Sequence, residues 1–128
     1  MLAAGRLERV EPDLDGAALA REEAARHADS AELIVETDPN GAYQLAYDAA
    51  RKAVMSKLRE EGLRVRKSEG GHAITAEFAR IAIDGELGLR LESMRRRRNR
   101  SEYGRAYFEA EEVRDAVAVA RALIAATA

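Results

Sequence analysis

Small and apolar side chains recur every three or four residues along most of this chain, with charged residues between them. The first such series is Ala17, Ala20, Ala24, His27, Ala31 and Ile34, and it predicts a helix over about 16–36 with Asp15 as its N-cap. Residues 1–14 precede any sustained period and read as a loose segment with one short apolar turn around Leu7 and Val10. A second series is Tyr43, Ala46, Tyr47, Ala50, Val54 and Leu58. It follows Asp38–Pro39, either a turn or a cap with proline in the first helical turn, and stops at Gly62. The stretch "LRVRKSEGG" is polar, basic and glycine-ended, and reads as a loop despite a brief alternation.

Beyond that loop, Ile74, Phe78 and Ile81 predict a shorter helix over about 72–83, closed by the turn signal Asp84–Gly85. Leu87, Leu91 and Met94 form the stripe of a fourth helix over about 86–102, with Gly104 as its stop. Val113, Val117, Ala120 and Ile124 form the stripe of a fifth, whose acidic start at Glu109 suits a helix N-terminus. The expected fold is therefore all-α: an up-and-down bundle of four main helices plus a shorter one, formed by residues 15–128 as a single domain.

Composition supports helices over sheets. The chain of 128 residues holds 27 alanines, few aromatics and no tryptophan, which suits close helix packing. The absence of cysteine excludes disulfides, thiol nucleophiles and cysteine-ligated zinc. No apolar run approaches membrane-span length and the start lacks a signal-peptide pattern, so a cytoplasmic protein without membrane contact is expected.

Charge changes the picture more. The formal net charge is −2, but residues 1–38 carry 4 basic and 10 acidic side chains while residues 39–105 carry 15 basic and 9 acidic ones. An anionic partner is thus expected at the middle of the chain. Its densest part is "SMRRRRNRSEYG", Ser93 to Gly104. Continuing the stripe 87, 91, 94 by one step reaches Arg98, which singles it out as an inward-pointing arginine that needs an anion. Arg95 flanks the stripe, and Arg96, Arg97 and Arg100 point outward. Asn99 and Tyr103 are four apart and share a face. The plainer alternative is a solvated helix end whose cations complement the helix dipole.

The run "RRRRNRSEYG" resembles the signature of the HEPN superfamily (higher eukaryotes and prokaryotes nucleotide-binding), small all-α bundles whose commonest motif reads R-N-x-x-x-H. Arg98 and Asn99 match the first two positions, and Tyr103 stands where the histidine would be. With "AYQLAYDAARKAVMSKLREEGLRV", "HAITAEFAR" and "FEAEEVRDAVAVAR", it is similar to an actinobacterial-type subgroup that carries R-N-x-x-E-Y-G.

The resemblance implies a homodimer with a basic cleft that binds RNA or a nucleotide. It also implies the chemistry of metal-independent, toxin-type ribonucleases, often beside a nucleotidyltransferase or antitoxin partner. In that chemistry Arg98 would hold the scissile phosphate and Asn99 would orient the site, with Tyr103 in the acid–base position. Arg95, Arg97 and Arg100 would bind RNA phosphates. The second reading is a non-catalytic interaction module that docks such a partner protein.

Other polar residues have local readings. His27 reads as a packed, hydrogen-bonded histidine, and Tyr43 and Tyr47 read as core. His72 reads as acting locally at a helix start, with a role in the cleft as the lesser option. Asp48 reads as a helical ion pair with Lys52, with support of the inward arginine as the alternative. Neither histidine has a second ligand at metal spacing, so no metal and no cofactor are expected.

Overall fold

The computed structural model describes residues 5–66, 70–103 and 107–128; of Ser101, Glu102 and Tyr103 it describes the backbone alone. Five helices carry the chain: α1 (Leu14–Ile34), α2 (Pro39–Glu61), α3 (Gly71–Ala82), α4 (Gly85–Tyr103) and α5 (Ala110–Ala126). Two short strands, β1 (Leu7–Arg9) and β2 (Leu63–Val65), complete it. The fold is an all-α bundle of four long helices and the shorter α3.

Helix α2 is the axis, in contact with each of the other four helices. It starts where Asp38 accepts a hydrogen bond from the Gly41 amide at 2.9 Å with Pro39 in the first turn. It ends at Gly62, whose φ of +70° is the left-handed conformation that glycine adopts without a Cβ penalty. Alanine dominates the buried faces of α1 and α2, which pack on each other: Ala24, Ala28 and Ala31 on one, and Ala42, Ala46, Ala49, Ala50 and Ala53 on the other, are all at 0% exposure. Side chains this small let two backbones approach closely. Larger groups fill the other side of α2, with Tyr47, Leu91, Val113 and Leu123 nearly or fully buried.

The caps and faces differ from expectation in three places. Asp13, not Asp15, caps α1, accepting from the Gly16 amide at 2.8 Å. Ile81 is 58% exposed, because α3 turns Thr75, Ala76, Phe78 and Ala79 inward instead. The third difference is the two-stranded sheet. Leu63–Val65, read as loop, pairs antiparallel with Leu7–Arg9, in the segment read as loose, with Leu7 opposite Val65 and Arg9 opposite Leu63. Leu7 is 3% exposed, and Glu8 and Arg64 form a cross-strand ion pair at 2.6 Å. The pairing joins segments far apart in sequence, so no local period announces it.

The α3–α4 corner is tight. Asp84 caps α4 by accepting from the Leu87 amide at 2.9 Å. Gly88 then lies against the Arg80 backbone, so closely that a Cβ there would sit 2.3 Å from the Arg80 N and Cα atoms. This contact sets where α4 departs, and therefore where the arginine run lands. Gly104, the expected stop of α4, lies outside the described residues.

Candidate anion-binding site

The five arginines between Arg95 and Arg100 on α4 separate into different environments. Arg98 is half-buried, as the stripe predicts; its Nε donates to Gln44 Oε1 at 2.7 Å, and its guanidinium carbon lies 5.3 Å from the centre of the Tyr47 ring. Arg95 forks onto Glu92, and Arg96 reaches the same carboxylate at 3.8 Å from a mostly exposed position. Arg100 is exposed beside the groove between α4 and α5.

Arg97, expected to point outward, is half-buried. It is turned to α5, donating to both Glu112 oxygens at 2.8 and 3.2 Å and to the Tyr107 carbonyl at 3.1 Å. Its guanidinium covers the Phe108 ring at 4.1 Å, and that ring stacks on Tyr43 at the same centroid distance. A guanidinium committed to a carboxylate, a carbonyl and an aromatic face ties α4 to α5. Asn99 is half-buried next to Arg98 on the chain. The Tyr103 side chain lies outside the described residues, so of the expected trio only Arg98 and Asn99 have described side chains.

The fold instead brings Arg98 to residues of α2 and α3. Tyr47 is 1% exposed, and its hydroxyl shares a 3.1 Å hydrogen bond with His72 Nδ1. Burial pushes the Tyr47 phenol up to about 12, so it stays protonated at neutral pH. His72 is an exposed residue, yet the part of its imidazole turned to Tyr47 is shielded from water, which holds it below its ordinary value; Arg51, Arg98 and Arg95 lower it further, against an opposing pull from Asp48. His72 is therefore neutral near pH 7. When the hydroxyl accepts from Nδ1–H, Nε2 presents a free lone pair.

Arg51 completes the group. Its guanidinium contacts the Met55 sulfur, a weak acceptor, at 2.9 Å and Asp48 at a loose 3.7 Å. Its Nε is buried with no hydrogen-bond partner among the described residues. Asp48 thus leans toward Arg51 and not toward Lys52. Lys52 crosses to α1, donating to Glu23 at 2.7 Å and to His27 Nε2 at 2.9 Å. His27 is packed and hydrogen-bonded as its spacing suggested, and it lies at the α1–α2 seam, apart from this group.

Of these residues the sequence assigned no site role to Arg51, read Tyr47 as core, and gave His72 a place in the cleft only as the lesser option. Tyr47 and Arg51 are four apart on α2, at the edge of its apolar stripe, and this is the only local signal linking them. His72 reaches them through the fold. Together they make a neutral imidazole and a phenol ringed by cations from two helices, an arrangement suited to a phosphate group and to proton transfer beside it.

The histidine gives a direct test. By NMR, the His72 imidazole should titrate with a midpoint below 6.5, and adding inorganic phosphate should raise that midpoint, because a bound anion favours the imidazolium. A depressed folded-state value also means that its contribution to stability is present above about pH 6.5 and is lost as pH falls through the folded-state midpoint. A midpoint at or above 6.5 in the free protein would contradict this environment.

No protein-family model matches the chain, and no curated protein and no solved structure is significantly similar to it. No helix among the described residues is long and apolar enough to cross a membrane.

Proposed function

We propose that the chain binds RNA or a nucleotide through its phosphate at the site formed by Arg51, Arg95, Arg98, Tyr47 and His72. The observation that carries this reading is the Tyr47–His72 hydrogen bond set among arginines of α2 and α4. A cationic cluster around an uncharged imidazole gains most from a ligand that brings negative charge. The HEPN-like motif supports the same reading from the sequence side, with Arg98 common to both, and a homodimer with facing sites belongs to it.

The site also has the groups for ribonuclease chemistry without a metal, of the toxin type. His72 Nε2 would take the proton of the RNA 2′-OH, whose oxygen attacks the adjacent phosphorus. The bond to the 5′-oxygen breaks, leaving a 2′,3′-cyclic phosphate, and the departing oxygen is protonated by an acid of the site or by water. Arg51 and Arg98 would stabilise the charge that builds on the phosphoryl oxygens. This assigns the acid–base role to His72 and leaves Tyr103 without a required one.

Binding to single-stranded RNA should weaken steeply as salt rises, and Arg98→Ala should weaken it further while reducing the salt slope by about one. Cleavage in EDTA should vanish in His72→Ala with binding retained. Binding without cleavage would leave a nucleic-acid binder. No binding at low salt would remove both readings and favour the docking of a protein partner such as a nucleotidyltransferase or antitoxin.

A further inference from the structure

A cavity of about 450 Å³ opens between the sheet, α2 and α3, within the roughly 300–1,000 Å³ range of small-molecule sites. Two of its lining residues, Arg51 and His72, belong to the phosphate site just described. Leu58 and Thr75 form its buried lining, and Met55, Leu63 and Val65 are half-buried against it.

We infer that this cavity receives one unstacked base of single-stranded RNA, with the adjoining phosphate held by Arg51 beside His72. The inference rests on the proposed function and adds to it the form of the substrate. Apolar side chains and a thioether suit the faces of a planar ring, and methionine adapts its shape to such a partner. Arg51 stands where base and phosphate would meet. Its buried Nε has no hydrogen-bond partner among the described residues, and its other contacts are a sulfur and a carboxylate at 3.7 Å. A phosphate oxygen at the outer guanidinium nitrogens would replace those weak contacts with a charge-assisted acceptor.

The charge pattern restricts the ligand as well. Glu11 and Asp13 also line the cavity, as do Arg59, which donates to the Gly16 carbonyl at 3.1 Å, and Arg64, which pairs with Glu8 at 2.6 Å, so the lining arginine without an acceptor at close range is Arg51, and the phosphate belongs at its end. A duplex holds its bases stacked and paired and cannot deliver one into a cavity, whereas a single strand can.

The test uses the full chain with AMP, inorganic phosphate, and single-stranded and duplex RNA of one sequence. AMP should bind about tenfold or more tightly than inorganic phosphate, the surplus coming from the base. Nuclear Overhauser contacts should join the Met55 methyl to the adenine protons. Single-stranded RNA should bind more tightly than the duplex. Val10→Trp, at an exposed residue on the cavity's lining, should abolish the AMP advantage and leave phosphate affinity unchanged.

If AMP binds no more tightly than phosphate, or shows no contact with Met55, or the duplex binds as well as the single strand, the base cavity is wrong while the phosphate site stands. If neither phosphate nor AMP perturbs His72, the phosphate reading fails with it. The Met55 contacts are read on the unaltered chain, so the outcome does not depend on the variant folding.

Discussion

Replacing Gly88 with alanine is expected to destabilise the protein by about 2–3 kcal/mol, the upper part of the range for forcing a methyl group into a packed interior. In a domain of this size that lowers the melting temperature by roughly 8–12 °C, measurable by calorimetry or circular dichroism. The reason is geometric: the new Cβ would lie 2.3 Å from the N and Cα of Arg80, backbone atoms that cannot rotate away. Helix α4 would have to move off α3. The sign is informative because glycine to alanine in a helix ordinarily stabilises by up to about 1 kcal/mol. Gly85 provides the control from the same corner, since its Cβ would meet only the Arg80 carbonyl at an ordinary 3.9 Å. Gly85→Ala should be neutral or stabilising. A Gly88→Ala protein as stable as the parent would show that the two helices do not meet as described.

Gly88 also illustrates what is legible in this sequence. Helices α2 and α5 announce themselves because their caps and stripes are local: Asp38, Pro39 and Gly62 bound one, and Glu109, Val113, Val117 and Ala120 define the other. The inward turn of Arg98 is equally local, one step beyond Met94 on the stripe. Gly88 looks like any helical glycine, because the backbone it touches belongs to another helix. The β1–β2 pairing is hidden for a related reason. Three residues are too few to establish an alternation, and what buries Leu7 is supplied by distant elements.

The site was legible only in part for the same physical reason. Charge density located α4, and helical spacing selected Arg98. Spacing could not tell that Arg97 has a carboxylate waiting on α5, or that Lys52 prefers Glu23 of α1 to Asp48 of its own helix. Both are choices among partners at similar reach, decided by tertiary placement. His72 was the hardest to assign, because its significance depends on Tyr47 and Arg51, which approach it only when α3 folds back on α2. A motif read along one helix therefore captures the arginine and misses the imidazole.

Arg51→Met should separate binding from stability. Methionine has similar length and apolar character, and it removes a guanidinium whose side chain is 19% exposed and whose Nε is buried without a hydrogen-bond partner among the described residues. Replacing an imperfectly satisfied buried charge with an apolar group is commonly neutral or stabilising, so the melting temperature should hold or rise. Affinity for inorganic phosphate and for single-stranded RNA should fall about tenfold or more, the cost of losing a charge-assisted contact. Arg97→Met should do the reverse. It leaves Glu112 unpaired and uncovers Phe108, costing roughly 1 kcal/mol of stability, and it leaves RNA affinity nearly unchanged. The two arginines lie on different helices, and both are largely shielded from solvent. Burial alone would make them equivalent; what distinguishes them is that one has a carboxylate partner at hydrogen-bond distance and the other does not. If Arg51→Met destabilises the fold and binds RNA as before, Arg51 is a structural arginine like Arg97, and the proposed site loses the residue that joins its phosphate and base halves.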